Sequence, residues 1–99
     1  MNKNLVIPKE KIADFCRRHH IRRLAIFGSA LRANFGPQSD VDVLVEFEAG
    51  QEPGFMALAR MERELSEMFG RRVDLRTPED LSRLFRDEVI SSAEVQYAQ

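Results

Sequence analysis

The sequence predicts an α/β (α+β) fold, a small mixed β-sheet flanked by helices. Two observations carry that expectation. Val41 to Phe47 alternates, with Val41, Val43, Val45 and Phe47 on one face, which is the period of a half-buried strand. Phe55, Leu58, Leu65, Met68 and Phe69 recur at helical spacing and are followed by Gly70, a natural C-cap. A chain of 99 residues has room for one core, so the expected organisation is one domain over residues 1–99.

The remaining elements fall around these two. Pro8 suits a first helical position, and Ile12, Phe15 and Cys16 share a face, so Pro8 to His20 reads as a helix. Leu24 to Phe27 is a short apolar run ending at Gly28, as expected of a buried strand entering a turn. Ser29 to Ala33 has the length of a short helix, and Asn34 to Ser39 reads as a loop. Ala49 to Gly54 is a second loop, and Arg72 to Arg76 is a short strand. Thr77 can cap a further helix with Pro78 in its first position, and the remainder, through Val89, Ile90 and Ala93 to Tyr97, reads as helical. The order is therefore helix, strand, short helix, strand, helix, strand, helices.

Composition narrows the function classes. With 43% hydrophobic and 31% charged residues the chain has the makeup of an ordered globular protein. Fifteen basic and sixteen acidic side chains give a net charge of -1, which argues against direct nucleic-acid binding. The lone Cys16 lies in a helical pattern and reads as a buried thiol. The early apolar run Leu5 to Ile7 is too short for a signal peptide, and no stretch approaches transmembrane length. The expected setting is the reducing cytoplasm, with no membrane association. Arg17, Arg18, His19, His20, Arg22 and Arg23 form a basic cluster. It reads as a solvated helix end, where cations favour the negative dipole, the alternative being contact with nucleic acid or a phosphorylated partner. Met56, Met61 and Met68 read as helix packing, and Tyr97 as a partly buried aromatic.

Chemistry enters through three aspartates in unfavourable places. Asp is depleted in strands, yet Asp40 opens the second strand, Asp42 lies inside it, and Asp74 lies inside the third. Such violations of local preference concentrate at functional sites. Residues two apart on a strand share a face, so Asp40 and Asp42 point the same way, and Asp74 joins them if the third strand pairs beside the second. Clustered carboxylates repel unless cations sit between them. Magnesium takes oxygen ligands and bridges to phosphates, and two such ions roughly 4 Å apart could clamp an in-line displacement. Gly28 and Ser29 close the first strand and open a turn whose backbone can approach an anion. Arg32, one turn on, opposes the helix dipole, which is odd for structure and reasonable for a phosphate contact.

Gly28-Ser29, ten intervening residues, then Asp40-Val41-Asp42 at the head of an apolar strand resembles the signature of the DNA polymerase beta-like nucleotidyltransferase superfamily. The fuller runs, Phe27 to Arg32 and Pro37 to Val45, resemble its minimal nucleotidyltransferase (MNT) branch. Val73-Asp74-Leu75 is similar to that branch's third-carboxylate strand, and Ile90 to Tyr97 to its closing segment. One departure is Ala33, where the branch commonly has glycine. The resemblance implies that Asp40, Asp42 and Asp74 are the catalytic, metal-binding residues, that Gly28, Ser29 and Arg32 hold the nucleotide, and that two Mg2+ ions serve ATP as substrate. It also implies an antitoxin of a toxin–antitoxin system, transferring AMP onto a tyrosine of a HEPN-type ribonuclease toxin with which it forms a hetero-oligomer. Two alternatives stand beside this: a non-enzymatic binding antitoxin, and the nucleotide-binding subunit of a two-chain enzyme acting on a small molecule.

Overall fold

A computed structural model describes residues 7–28 and 39–99. Its elements are helix α1 (Lys9–Arg18), strands β1 (Ile21–Phe27) and β2 (Val41–Phe47), helix α2 (Phe55–Phe69), strand β3 (Val73–Arg76), a 3-10 turn (Pro78–Asp80), helix α3 (Arg86–Ser92) and strand β4 (Glu94–Ala98). The four strands make one sheet in the order β3-β2-β1-β4. β1 is antiparallel to both β2 and β4, whereas β2 and β3 are parallel. Parallel neighbours need a crossover, and α2 supplies it. The short helix expected over Ser29 to Ala33, and the loop expected from Asn34 up to residue 38, lie outside the described residues.

One face of the sheet carries the core. Leu24 and Ile26 of β1, Val41, Val43 and Val45 of β2, and Val73 and Leu75 of β3 pack with Ile12, Phe15 and Cys16 of α1 and Met61 and Leu65 of α2. The alternation read in β2 thus sorts its side chains between faces as expected, with Phe47 half-buried at the end of the strand. Burial pushes the Cys16 thiol up to about 12, with Arg17 pulling it slightly back, so the thiol is protonated at neutral pH. Among the described residues no helix is long and apolar enough to cross a membrane.

Local chemistry explains the boundaries. α1 stops at Arg18, His19 caps it, and His20 takes a left-handed φ of 57° that turns the chain into β1. α2 ends at Gly70, whose φ of 68° lets its N–H and that of Arg71 reach back to Glu67 and Ser66 carbonyls. Thr77 and Pro78 open a single 3-10 turn in place of the longer helix expected there, and the Asp80 carboxylate accepts from the Thr77 N–H and hydroxyl. The chain end also departs from expectation. Ala93 to Tyr97 is not helical, because Glu94–Ala98 pairs with the open edge of β1 as β4. Within α2 the apolar stripe begins at Leu58 and not at Phe55, which is 82% exposed together with Met56 at 72%. Tyr97 packs half-buried against the core as expected.

β3 is a four-residue edge strand, and α2 holds it in place with polar side chains. The outward Val73 N–H donates to Ser66 Oγ at 3.0 Å, and the Leu75 N–H donates to Glu62 Oε2 at 2.8 Å. Ser66 in turn donates to the Glu62 carbonyl. These two acceptors satisfy backbone groups that an edge strand leaves open. Ser66→Ala should therefore lower unfolding free energy by about 1–3 kcal/mol, the cost of stranding a half-buried donor. An unchanged urea midpoint at unchanged slope would show that water replaces the hydroxyl there.

Candidate active site

β1 runs antiparallel to β2 and β3 parallel to it, so the end of β1 and the beginnings of β2 and β3 meet at one end of the sheet. Phe27 is opposite Asp42, and Asp42 is opposite Asp74. Partners on adjacent strands are separated by about 4.8 Å, so the two carboxylates rise side by side from the face opposite the core. Asp40 lies two residues before Asp42, at the lead-in to the strand. The structure therefore brings the three sequence-predicted aspartates to one sheet end. None is buried: the side chains of Asp40 and Asp74 are 43% and 26% exposed.

Gly28 follows β1 immediately and has a φ of 72°. A Cβ there would run into the Asp42 carboxylate, coming within 3.2 Å of its Cγ and closer still to Oδ2. The glycine expected to let backbone approach a ligand thus lets backbone approach the central carboxylate. Ser29 and Arg32, the other expected nucleotide contacts, fall outside the described residues.

A cation missed by sequence reasoning stands in the site. Arg72 Nε is 4.0 Å from Asp40 Oδ2 and 3.9 Å from Asp74 Oδ1. The signal was available, because Arg72 lies two residues before Asp74 and so on the same face. Its neighbour Arg71 donates to the Ser39 carbonyl at 3.3 Å. Among the described residues no three carboxylate, histidine or cysteine side chains converge closely enough in their present rotamers to share a metal ion. The donor set nevertheless suits magnesium: all three groups are hard oxygen donors on one side of the sheet, and a guanidinium already sits between two of them. The basic cluster at the end of α1 is elsewhere and has acidic partners: Arg18 pairs with Asp14 and Glu64, and His19 lies 3.3 Å from Glu64. That matches the solvated helix end. The Arg18 guanidinium beside Glu64 holds its carboxyl below the usual range.

The nucleotidyltransferase fold expected from the sequence is borne out by comparison with known proteins. A model of the nucleotidyltransferase domain family matches residues 9–96, and the chain belongs to that family. A Methanocaldococcus jannaschii protein designated a candidate protein adenylyltransferase is 36% identical over 85 residues, which is 86% of this chain and 89% of that protein. A solved structure described as a candidate minimal nucleotidyltransferase shares 33% identity and superposes with a TM-score of 0.71, over 86% of this chain and 85% of its own. The fold also recurs, at 18% identity and a TM-score of 0.66, in a structure of a tri-AMPylated Shewanella oneidensis HEPN toxin in complex with MNT antitoxin, covering 92% of this chain and 70% of that one.

Gly28→Ala should leave the sheet folded but move the Asp42 carboxylate. The expected outcome is a stability loss of about 1–2 kcal/mol, the cost of a left-handed residue with a Cβ, together with loss of nucleotide transfer. Transfer at the wild-type rate in this variant would show that the carboxylate can yield without consequence.

Proposed function

We propose that this chain is a protein adenylyltransferase of antitoxin type, moving AMP from ATP to a tyrosine hydroxyl of a HEPN-type ribonuclease toxin in the cytoplasm. The observation that carries this reading is the meeting of Gly28, Asp42 and Asp74 at one sheet end, Asp42 standing between the glycine turn and the facing carboxylate. In this reading residues 1–99 work as one minimal nucleotidyltransferase domain, and the toxin, bound as a hetero-oligomer, brings the acceptor. The adenylyltransferase designation of a relative identical at more than a third of aligned positions, and the AMPylated toxin beside a fold neighbour, support the same assignment.

In this reading the segment that follows β1 in sequence holds the triphosphate: Gly28 supplies close backbone, and Ser29 and Arg32 supply a hydroxyl and a guanidinium to phosphate oxygens. Asp40, Asp42 and Asp74 would hold two magnesium ions. When bound, these ions neutralise phosphate charge and favour the ionised form of the attacking hydroxyl. The tyrosine oxygen attacks the α-phosphorus in line. The new P–O bond forms as the bond to the β-phosphate oxygen breaks, pyrophosphate leaves, and Asp74 takes the hydroxyl proton. Such transfer needs positioning and charge neutralisation more than covalent help from the protein.

Asp42→Asn should abolish transfer of label from α-labelled ATP to the purified toxin, by a hundredfold or more given several kcal/mol of charge stabilisation lost, with an unchanged circular dichroism spectrum. Residual transfer near the wild-type rate would overturn the carboxylate assignment. Ser29→Ala with Arg32→Ala should weaken binding of a non-hydrolysable ATP analogue with magnesium by about 2–4 kcal/mol, taking ~1–2 for each charge-assisted hydrogen bond. Calorimetry reads this directly, and unchanged affinity in the double variant means the triphosphate is held elsewhere.

A further inference from the structure

Arg72 belongs to none of the roles above, yet it is the basic group that lies against two of the three carboxylates. It opens the run into β3 two residues before Asp74, and its Nε sits 4.0 Å from Asp40 Oδ2 and 3.9 Å from Asp74 Oδ1. Its side chain is 76% exposed, and these two carboxylates are its ion-pair partners. We infer that Arg72 is a built-in counter-cation for Asp40 and Asp74, competing with a divalent ion for their oxygens and giving way only when a triphosphate offers its guanidinium another partner. The inference rests on the reading of Asp40, Asp42 and Asp74 as metal-holding carboxylates.

Acids gathered at one sheet end repel one another, and a cation between them relieves that repulsion. A tethered guanidinium does so without being recruited from solution. It also competes with any ion that needs the same oxygens. Exposed ion pairs of this kind each weigh about 1.4- to 5-fold in an equilibrium. Two of them together should weaken capture of a lone divalent ion by about 2- to 25-fold. A nucleoside triphosphate changes the balance. Its phosphate oxygens match the planar fork of a guanidinium better than a carboxylate 4 Å away does, and they also bind the metal. Arg72 can then pass from the carboxylates to the phosphates, leaving the carboxylates to the ion. Ion and nucleotide therefore bind with positive coupling, and the coupling is reciprocal. Arg71, the neighbouring cation, donates to the Ser39 carbonyl.

The test is titration of the full chain with Mn2+, alone and with a non-hydrolysable ATP analogue, in wild type, Arg72→Gln and Arg72→Lys. Arg72→Gln should bind Mn2+ alone about 2- to 25-fold more tightly than wild type, and its coupling between ion and nucleotide should shrink by a similar factor. Arg72→Lys, which keeps the charge, should stay within about threefold of wild type on both counts. Equal or weaker Mn2+ binding by Arg72→Gln without nucleotide overturns the proposal. Asp42→Asn separates this from failure of the underlying reading. If that variant loses Mn2+ in the presence of nucleotide while Arg72→Gln gains nothing without it, the carboxylates hold the metal and only the role of Arg72 falls. If Asp42→Asn binds Mn2+ as wild type does, the metal reading fails and takes the proposal with it.

Discussion

The parallel register of β2 and β3 is the constraint on which the site depends. Asp74 faces Asp42 because Val41 pairs with Val73, and the Val41 N–H donates to the Arg72 carbonyl at the start of that ladder. A slip of one residue would send Asp74 into the core and Val73 or Leu75 into the site. Four residues of strand are a thin basis for so consequential a register. It is held from both sides: Val73 and Leu75 are buried under α2, while Ser66 and Glu62 of the same helix take the outward N–H groups of those two residues. One helix thus provides the crossover, the apolar cover and the polar seal of the edge.

Much of this was legible in the residues alone, and unevenly so for physical reasons. β2 and α2 were read with the boundaries observed, because each has a long unbroken period and α2 has a glycine that can only end it. Asp42 and Asp74 stand out because they break strand preference, and strand pairing sets them side by side, with Asp40 immediately before β2. β4 was missed because its five residues follow α3 with a single residue between them, and because edge pairing with β1, a tertiary contact, decides its conformation. Phe55 and Met56 were read as packing, since spacing alone cannot tell which end of a stripe overhangs the sheet. Arg72 carried no motif; only its alternation with Asp74, once the pairing is known, reveals it.

The two faces of β2 show how a small domain accommodates clustered charge. Val41, Val43 and Val45 are fully buried on one face. On the other, Asp42 is half-buried while Leu44, two residues on, is 3% exposed and opposite the equally hidden Ala25. The boundary between wet and dry therefore falls within one side of a single strand, between Asp42 and Leu44. Carboxylates moved one step further along would lie among apolar groups, where desolvation raises the cost of keeping them ionised. Kept at the sheet end, Asp40 and Asp74 stay partly exposed, at 43% and 26%. The positive φ of Gly28 fits that arrangement, since a side chain at this position would occupy the space of the Asp42 carboxylate.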